Sequence, residues 1–228
     1  MALRPLIRPR ARIQLRSGKH QAMQRRVLMK RPIIALDADG VLLDYSSAYA
    51  SVWERAFGSH PIERDPTAYW PIDRWSVDRL SGTRLEQFRL CFDDLFWSTI
   101  PAIQGALEAC KKMHDAGYNL ICVSALEARF EAARLRNLHD LGFPIERVIA
   151  TTAHANSESP KASALRELMP TAFVDDYLPY FRGVPPIIHK ALISRQRTGS
   201  PNVGPDMSSV SSQHVDLVGF ALWWLNRG

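Results

Sequence analysis

The chain has 228 residues, 46% of them hydrophobic, which supports one good core and a small accessory piece and argues against a disordered chain. Its net charge of +6 is misleading: residues 1–28 hold eight Arg and Lys and no acid, so the rest sums to −2 and does not read as a nucleic-acid-binding body. Cys91, Cys110 and Cys122 match neither a zinc pattern nor a disulfide framework, and no apolar run reaches the ~20 residues of a membrane span, so reduced thiols and a soluble, cytoplasmic protein are expected.

In chain order, residues 1–28 read as a basic, disordered tail with no secretory apolar run. Met23 or Met29 would serve as an alternative start, because Met29-Lys30-Arg31-Pro32 leads straight into the first strand candidate, residues 33–36. That strand ends at Asp37-Ala38-Asp39-Gly40-Val41. A helix follows, capped by Ser46 or Ser47, with Tyr49, Val52, Trp53, Ala56 and Phe57 at helical spacing, and it stops at Gly58. After an aromatic, Pro-containing loop (residues 60–75), Thr83 and Glu86 form a capping box for a second helix whose apolar face is Leu85, Phe88, Phe92, Leu95 and Phe96.

The remainder alternates strands and helices. Strand candidates are residues 119–123, 147–151, 172–174 and 187–193. Between them Leu107, Cys110 and Met113 or His114 mark one helix, and Phe130, Ala133, Arg134 and Leu138 mark the next. Ser159-Pro160 predicts an N-cap and N1 proline, with Lys161 in the first helical turn. Residues 194–213 read as a long polar loop, and residues 214–226 as a final helix, apolar on nearly all sides.

Asp37, Ser124 and Asp175 all fall at strand ends, where open α/β sheets bind ligands. Four carboxylates (Asp37, Asp39, Asp175 and Asp176) brought to one sheet edge would repel one another, and a hard cation such as Mg²⁺ answers that crowding. Ser124 and Lys161 would supply hydrogen bonds and positive charge to an anion.

The four motifs, in this order, resemble those of the haloacid dehalogenase-like hydrolase superfamily, over residues 29–228. The resemblance implies a three-layer Rossmann-like parallel sheet with a small helical cap inserted after the first strand: residues 29–44 and 106–228 as the core, residues 45–105 as the cap. It also implies a Mg²⁺-dependent phosphatase of a small phosphorylated metabolite that works through an aspartyl-phosphate. By that resemblance Asp37 is the nucleophile, Asp39 the acid/base, and Ser124 and Gly40 bind the phosphoryl group. Lys161 offsets charge, Asp37, Asp175 and the Asp39 carbonyl ligate the metal, and Asp176 acts at one remove.

Val41 stands where many relatives carry threonine. Pro179, Tyr180 and Phe181 stand where many carry another acid. Asp39 argues against carbon–halogen cleavage, and residues 45–105 contain no Lys for a Schiff-base route. Tyr69, Trp70 and Arg74 are specificity candidates on a loop. The alternatives are a phosphotransferase or phosphomutase using the same intermediate, or a non-catalytic module with an RNA-binding tail.

Overall fold

The computed structural model describes residues 31–151, 158–195 and 198–227. The tail expected at residues 1–28 lies outside them. Six parallel strands form one sheet: β1 (Ile33–Leu36), β2 (Asn119–Ala125), β3 (Ile145–Thr151), β4 (Ala172–Asp175), β5 (His189–Ile193) and β6 (Ser212–His214). Their order is β3-β2-β1-β4-β5-β6. The chain thus fills the sheet to one side of β1 and then to the other, and the ligand crevice of such a sheet lies beyond the carboxyl ends of β1 and β4.

Side-chain alternation sorts the strands between two cores. Ile34, Leu36, Leu120, Cys122, Ala172, Val174, Ala191 and Ile193 face one layer. Ala35, Ile121, Val123, Phe173 and Leu192 face the other. The first layer holds α1 (Tyr45–Phe57), α3 (Gly82–Leu90) and α4 (Asp94–Ser98) through Val52, Trp53, Phe88 and Phe96. It also takes in α5 (Ala106–Asp115), α6 (Glu131–Asp140) and α8 (Leu217–Leu225) through Met113, Leu138 and Phe220. A one-turn helix, α2 (Pro71–Arg74), lies in the aromatic loop. The second layer is smaller and is covered by α7 (Ala162–Leu168) through Leu165, with Leu178 and Phe181 beside it. The helical insert after β1 therefore shares its core with the sheet.

Local chemistry corrects several expected boundaries. Asp44, rather than Ser46 or Ser47, caps α1: its carboxylate accepts from Ser47 N (3.2 Å) and Ser47 Oγ (2.8 Å). The Thr83–Glu86 box does not form, since α3 starts at Gly82 after Ser81 with no side-chain cap. The single helix expected there is two, because Asp93 accepts from Phe96 N (3.0 Å) and starts α4 afresh, leaving Leu95 exposed. Strands β2 and β3 run longer than expected, whereas β5 starts two residues later, after a turn at Pro185 in which Ile188 N donates to its carbonyl. The long polar loop hides β6, whose Ser-Gln-His composition carries no apolar alternation. Asp216 caps α8, which buries Leu217, Phe220, Ala221 and Trp224 but leaves Leu222 and Trp223 exposed. The three cysteines are free, Cys110 and Cys122 buried. Among the described residues no helix is long and apolar enough to cross a membrane.

Candidate active site

β1 and β4 are neighbours, with Leu36 level with Val174, so the next residue of each strand, Asp37 and Asp175, emerges at the same height. Asp37 N donates to Val174 O (2.9 Å) and locks that height. Alternation places Asp37 on the face of Ala35 and Asp175 on the face of Phe173, which α7 covers. There Lys161, the residue immediately before α7, donates from Nζ to Asp175 Oδ2 (2.6 Å) and lies 2.8 Å from Asp37 Oδ1. Ser159 sets this start of the helix by accepting from Lys161 N (3.1 Å), so Lys161 stands one residue ahead of the first turn expected for it.

Lys161 and Asp175 are wholly buried and lie beneath the cavity rather than in its wall. The ammonium is thus committed to two carboxylates. Burial opposes its charge, but Asp175 and Asp37 outweigh that and hold its pKa above the ordinary lysine value. The ring of Tyr180, centred 4.5 Å from Nζ, covers the ammonium from another side. An aromatic face therefore occupies the stretch where many proteins with these motifs carry another acid.

Beyond Asp37 the chain turns sharply: Leu42 N and Leu43 N both donate to Ala38 O (2.8 Å each), and Gly40 N donates to Leu43 O (2.9 Å). Gly40 has φ +83°, and a Cβ there would sit 2.2 Å from Asp176 Oδ2. Only glycine admits both this backbone and the Asp176 carboxylate packed against it. Asp176, expected at one remove from a cation, offers an oxygen in the same cluster as Asp37 and Asp175, with all three ligand atoms within 4.8 Å of one another.

Three carboxylates against one ammonium leave excess negative charge in a buried place. Burial, opposed by Lys161 and reinforced by Asp37, lifts Asp175 to about 7. Burial and the two neighbouring aspartates lift Asp176 well above the carboxylate range. This all-oxygen, over-charged cluster fits a hard cation.

Asp39 is held from the opposite layer. Arg134, on α6, is completely buried and donates from an η nitrogen to Asp39 Oδ2 (2.8 Å). Its guanidinium sits 5.0 Å from the centre of the Trp97 ring. Asp39 Oδ1 is buried without a partner. Burial raises the Asp39 pKa, while Arg134 pulls it down. One oxygen is anchored and the other is available. Sequence reasoning passed over Arg134 as one more position on a helical stripe, yet an arginine on an otherwise apolar helix face is itself the signal of a buried acidic partner.

Asp37, Asp39, Gly40, Ser124 and Asp176 line the floor of one cavity of about 370 Å³. The mainly aromatic part of its lining, termed the roof, is Tyr45, Tyr69, Trp70, Pro71, Trp97, Tyr177 and Tyr180, and Ser46, Ala125 and Arg195 complete it. Tyr69 and Trp70 thus border the site, whereas Arg74 does not line it: it pairs with Glu63 (2.7 Å). Tyr177 and Arg195 carry no local motif in the sequence, and Tyr180 stands out there only as a departure from an expected acid, not as a wall of the site.

Several solved structures share this architecture. A hydrolase of the haloacid dehalogenase (HAD) family from Deinococcus radiodurans, solved with bound phosphate and sodium, superposes with a TM-score of 0.52 at 15% identity, covering 84% of this chain and 94% of its own. The chain adopts the haloacid dehalogenase-like fold. The L-2-haloacid dehalogenase of Xanthobacter autotrophicus has the same fold (TM-score 0.55, 12% identity, 88% of this chain and 100% of that one). So does a HAD-superfamily hydrolase from Geobacter sulfurreducens (0.53, 14%, 84% and 95%). No protein-family model and no curated protein sequence matches the chain. At these identities the haloacid dehalogenase-like fold is what the likeness establishes, and the chemistry is argued from the chain's own residues.

Proposed function

We propose that this chain is a Mg²⁺-dependent phosphatase of a small phosphorylated metabolite, working through phosphorylated Asp37, with residues 45–105 as its cap. The observation that carries the reading is the meeting of Asp37, Asp175, Asp176 and Lys161 at the adjoining ends of β1 and β4, with a partnerless Asp39 oxygen beside them. Asp37, Asp175 and the Asp39 carbonyl would hold the Mg²⁺, with Asp176 joining directly or through water, and the ion would supply the charge neutralisation that lets an anionic nucleophile meet an anionic ester.

Asp37 attacks phosphorus as the ester oxygen leaves, and that oxygen takes the proton carried by Asp39. The products of this half are the free alcohol and an acyl phosphate on Asp37. Asp39, now ionised, takes a proton from water, whose oxygen attacks the same phosphorus and releases inorganic phosphate, restoring both carboxyl groups to their starting state. Arg134 keeps Asp39 aimed by holding Oδ2, so that Oδ1 carries the proton. Ser124 and the amides around Gly40 receive the phosphoryl oxygens.

A generic aryl phosphate with Mg²⁺ tests the reading, with phosphoenzyme trapped by acid quench. Turnover that collapses with chelator and with Asp37→Asn, in a variant of unchanged circular dichroism, is the expected result. Retained turnover in Asp37→Asn, or turnover indifferent to chelator, overturns it.

A further inference from the structure

Six aromatic rings line the cavity, and they fall into two groups. Tyr69, Trp70, Tyr177 and Tyr180 form one, with ring centres 4.9 Å apart for Tyr69–Trp70, 6.4 Å for the stacked Tyr69–Tyr177 pair and 4.7 Å for Tyr177–Tyr180. Tyr45 and Trp97 form the other, 6.3 Å apart and tilted by 30°. Each group is continuous within itself. No ring contact joins one group to the other among the described residues, and rings of both groups line the cavity.

The first group is held ready from behind. Tyr69 N donates to Thr198 O (2.9 Å), Thr198 N donates to Thr67 O (3.1 Å), and the two threonine hydroxyls lie 2.7 Å apart. On the other strand-end loop, Asn202 Nδ2 donates to Asp176 O (2.7 Å) and Asn202 Oδ1 accepts from Leu178 N (2.8 Å). Tyr177 N itself donates to Asp175 Oδ1 (2.9 Å). The polar loop after β5 therefore clasps both Tyr69 and Tyr177, which come from segments far apart in the chain. Burial and the nearby aspartates keep the Tyr69 hydroxyl protonated. Trp70 remains 41% exposed at the rim, an indole that packing alone does not explain.

We infer that the cavity takes a phosphate monoester whose leaving group carries a flat aromatic ring, a nucleobase or a simple aryl group, received between the two aromatic groups of the roof. This rests on the phosphatase reading of the floor. A cavity of about 370 Å³ has room for such a leaving group, small-ligand pockets running roughly 300–1,000 Å³. Rigid rings bind a ring face at little entropic cost and tolerate any base, whereas a short aliphatic ester would leave the same rings wet. The phosphoryl end lies among Asp37, Gly40 and Ser124, and the ring end lies against Trp70 and Tyr177, within one cavity.

Three esters decide it: a nucleoside 5′-monophosphate, phenyl phosphate and glycerol phosphate. Each is tested with Mg²⁺ for turnover on the full chain and on Trp70→Ala, and by calorimetric titration for binding to Asp37→Asn. A ring ester should be preferred over glycerol phosphate by about tenfold or more in kcat/KM and in Kd, and Trp70→Ala should cut that ratio by about tenfold. Because Trp70 is half-exposed, its loss spares the fold, which circular dichroism checks. The better of the two ring esters distinguishes a nucleobase from an aryl group. Turnover of all three esters without a ring preference overturns the inference and leaves the phosphatase standing. Preferential binding of a ring ester with no turnover of any ester overturns the phosphatase and leaves the ring site standing. Equal binding of all three sinks the ring site whatever the turnover.

Discussion

The floor of the cavity is ionic, mostly buried and made from residues at adjoining strand ends, whereas its roof is aromatic, partly exposed and assembled from loops and helices far apart in the chain. Three of the four floor carboxylates have a buried cationic partner: Lys161 serves Asp37 and Asp175, and Arg134 serves Asp39. Removing any one strands another in a low-dielectric place, so floor residues change together or not at all. Within the larger group of roof rings the contacts are edge to face or stacked, and the loss of Trp70 leaves Tyr69, Tyr177 and Tyr180 in contact. On the proposed function, chemistry and selectivity are therefore separable in this molecule, the first rigidly coupled and the second open to substitution.

The largest test of that contrast is Lys161→Met. It leaves Asp37 and Asp175 buried together without their cation, and should cost about 3–5 kcal/mol in urea unfolding, part of it recovered by added Mg²⁺. Unchanged stability would mean that the floor is not held by its ion pairs. Next comes Arg134→Met, expected to lower stability by about 1–3 kcal/mol and kcat by about a hundredfold. Adding Asp39→Asn should restore much of the stability and none of the turnover, and a double-mutant cycle measures the coupling. An additive cycle breaks the claim that the two residues act as one unit.

In the roof, Asn202→Ala removes two hydrogen bonds from the loop that carries Asp176 and Tyr177, and should cost about 1–2 kcal/mol. It should raise KM more than it lowers kcat, the opposite of the Arg134 variant; equal effects on both would merge floor and roof into one unit. The smallest effect is expected away from both regions. Burial, with Arg227 and His214, depresses the His189 pKa from 6.5 to about 4. As pH falls the unfolded chain takes up that proton first, so the stability tied to neutral His189 is complete above about 6.5 and drains as pH falls toward 4. His189→Gln should flatten the fall in Tm between those pH values without altering turnover at neutral pH, and an unchanged slope would remove His189 as its source.

How much of this was readable in the chain depends on the range of the interaction concerned. The strand runs Ile33-Ile34-Ala35-Leu36 and Ala172-Phe173-Val174 announce themselves because both of their faces are buried, and the aspartates follow at once. Lys161 was legible through Ser159-Pro160, a local helix-start signal. Strand β6 was not, because its three residues owe their conformation to pairing with β5. Nor was the break between α3 and α4, where the Asp93 side chain wins over helical periodicity. The partnership of Arg134 with Asp39 spans 95 positions and joins opposite layers of the fold, so no window of sequence contains it.

By itself the amino-acid order determined the alternation of strands and helices, the order of the four motifs and the acidic identity of the floor, since each of these follows from neighbours a few residues apart. Only the tertiary structure decided which cation answers which carboxylate, that a polar loop after β5 clasps the segments carrying Tyr69 and Tyr177, and that those two rings stack on each other. Charge pairing and ring stacking act through space, and it was the strand order about β1 that brought those distant positions within reach.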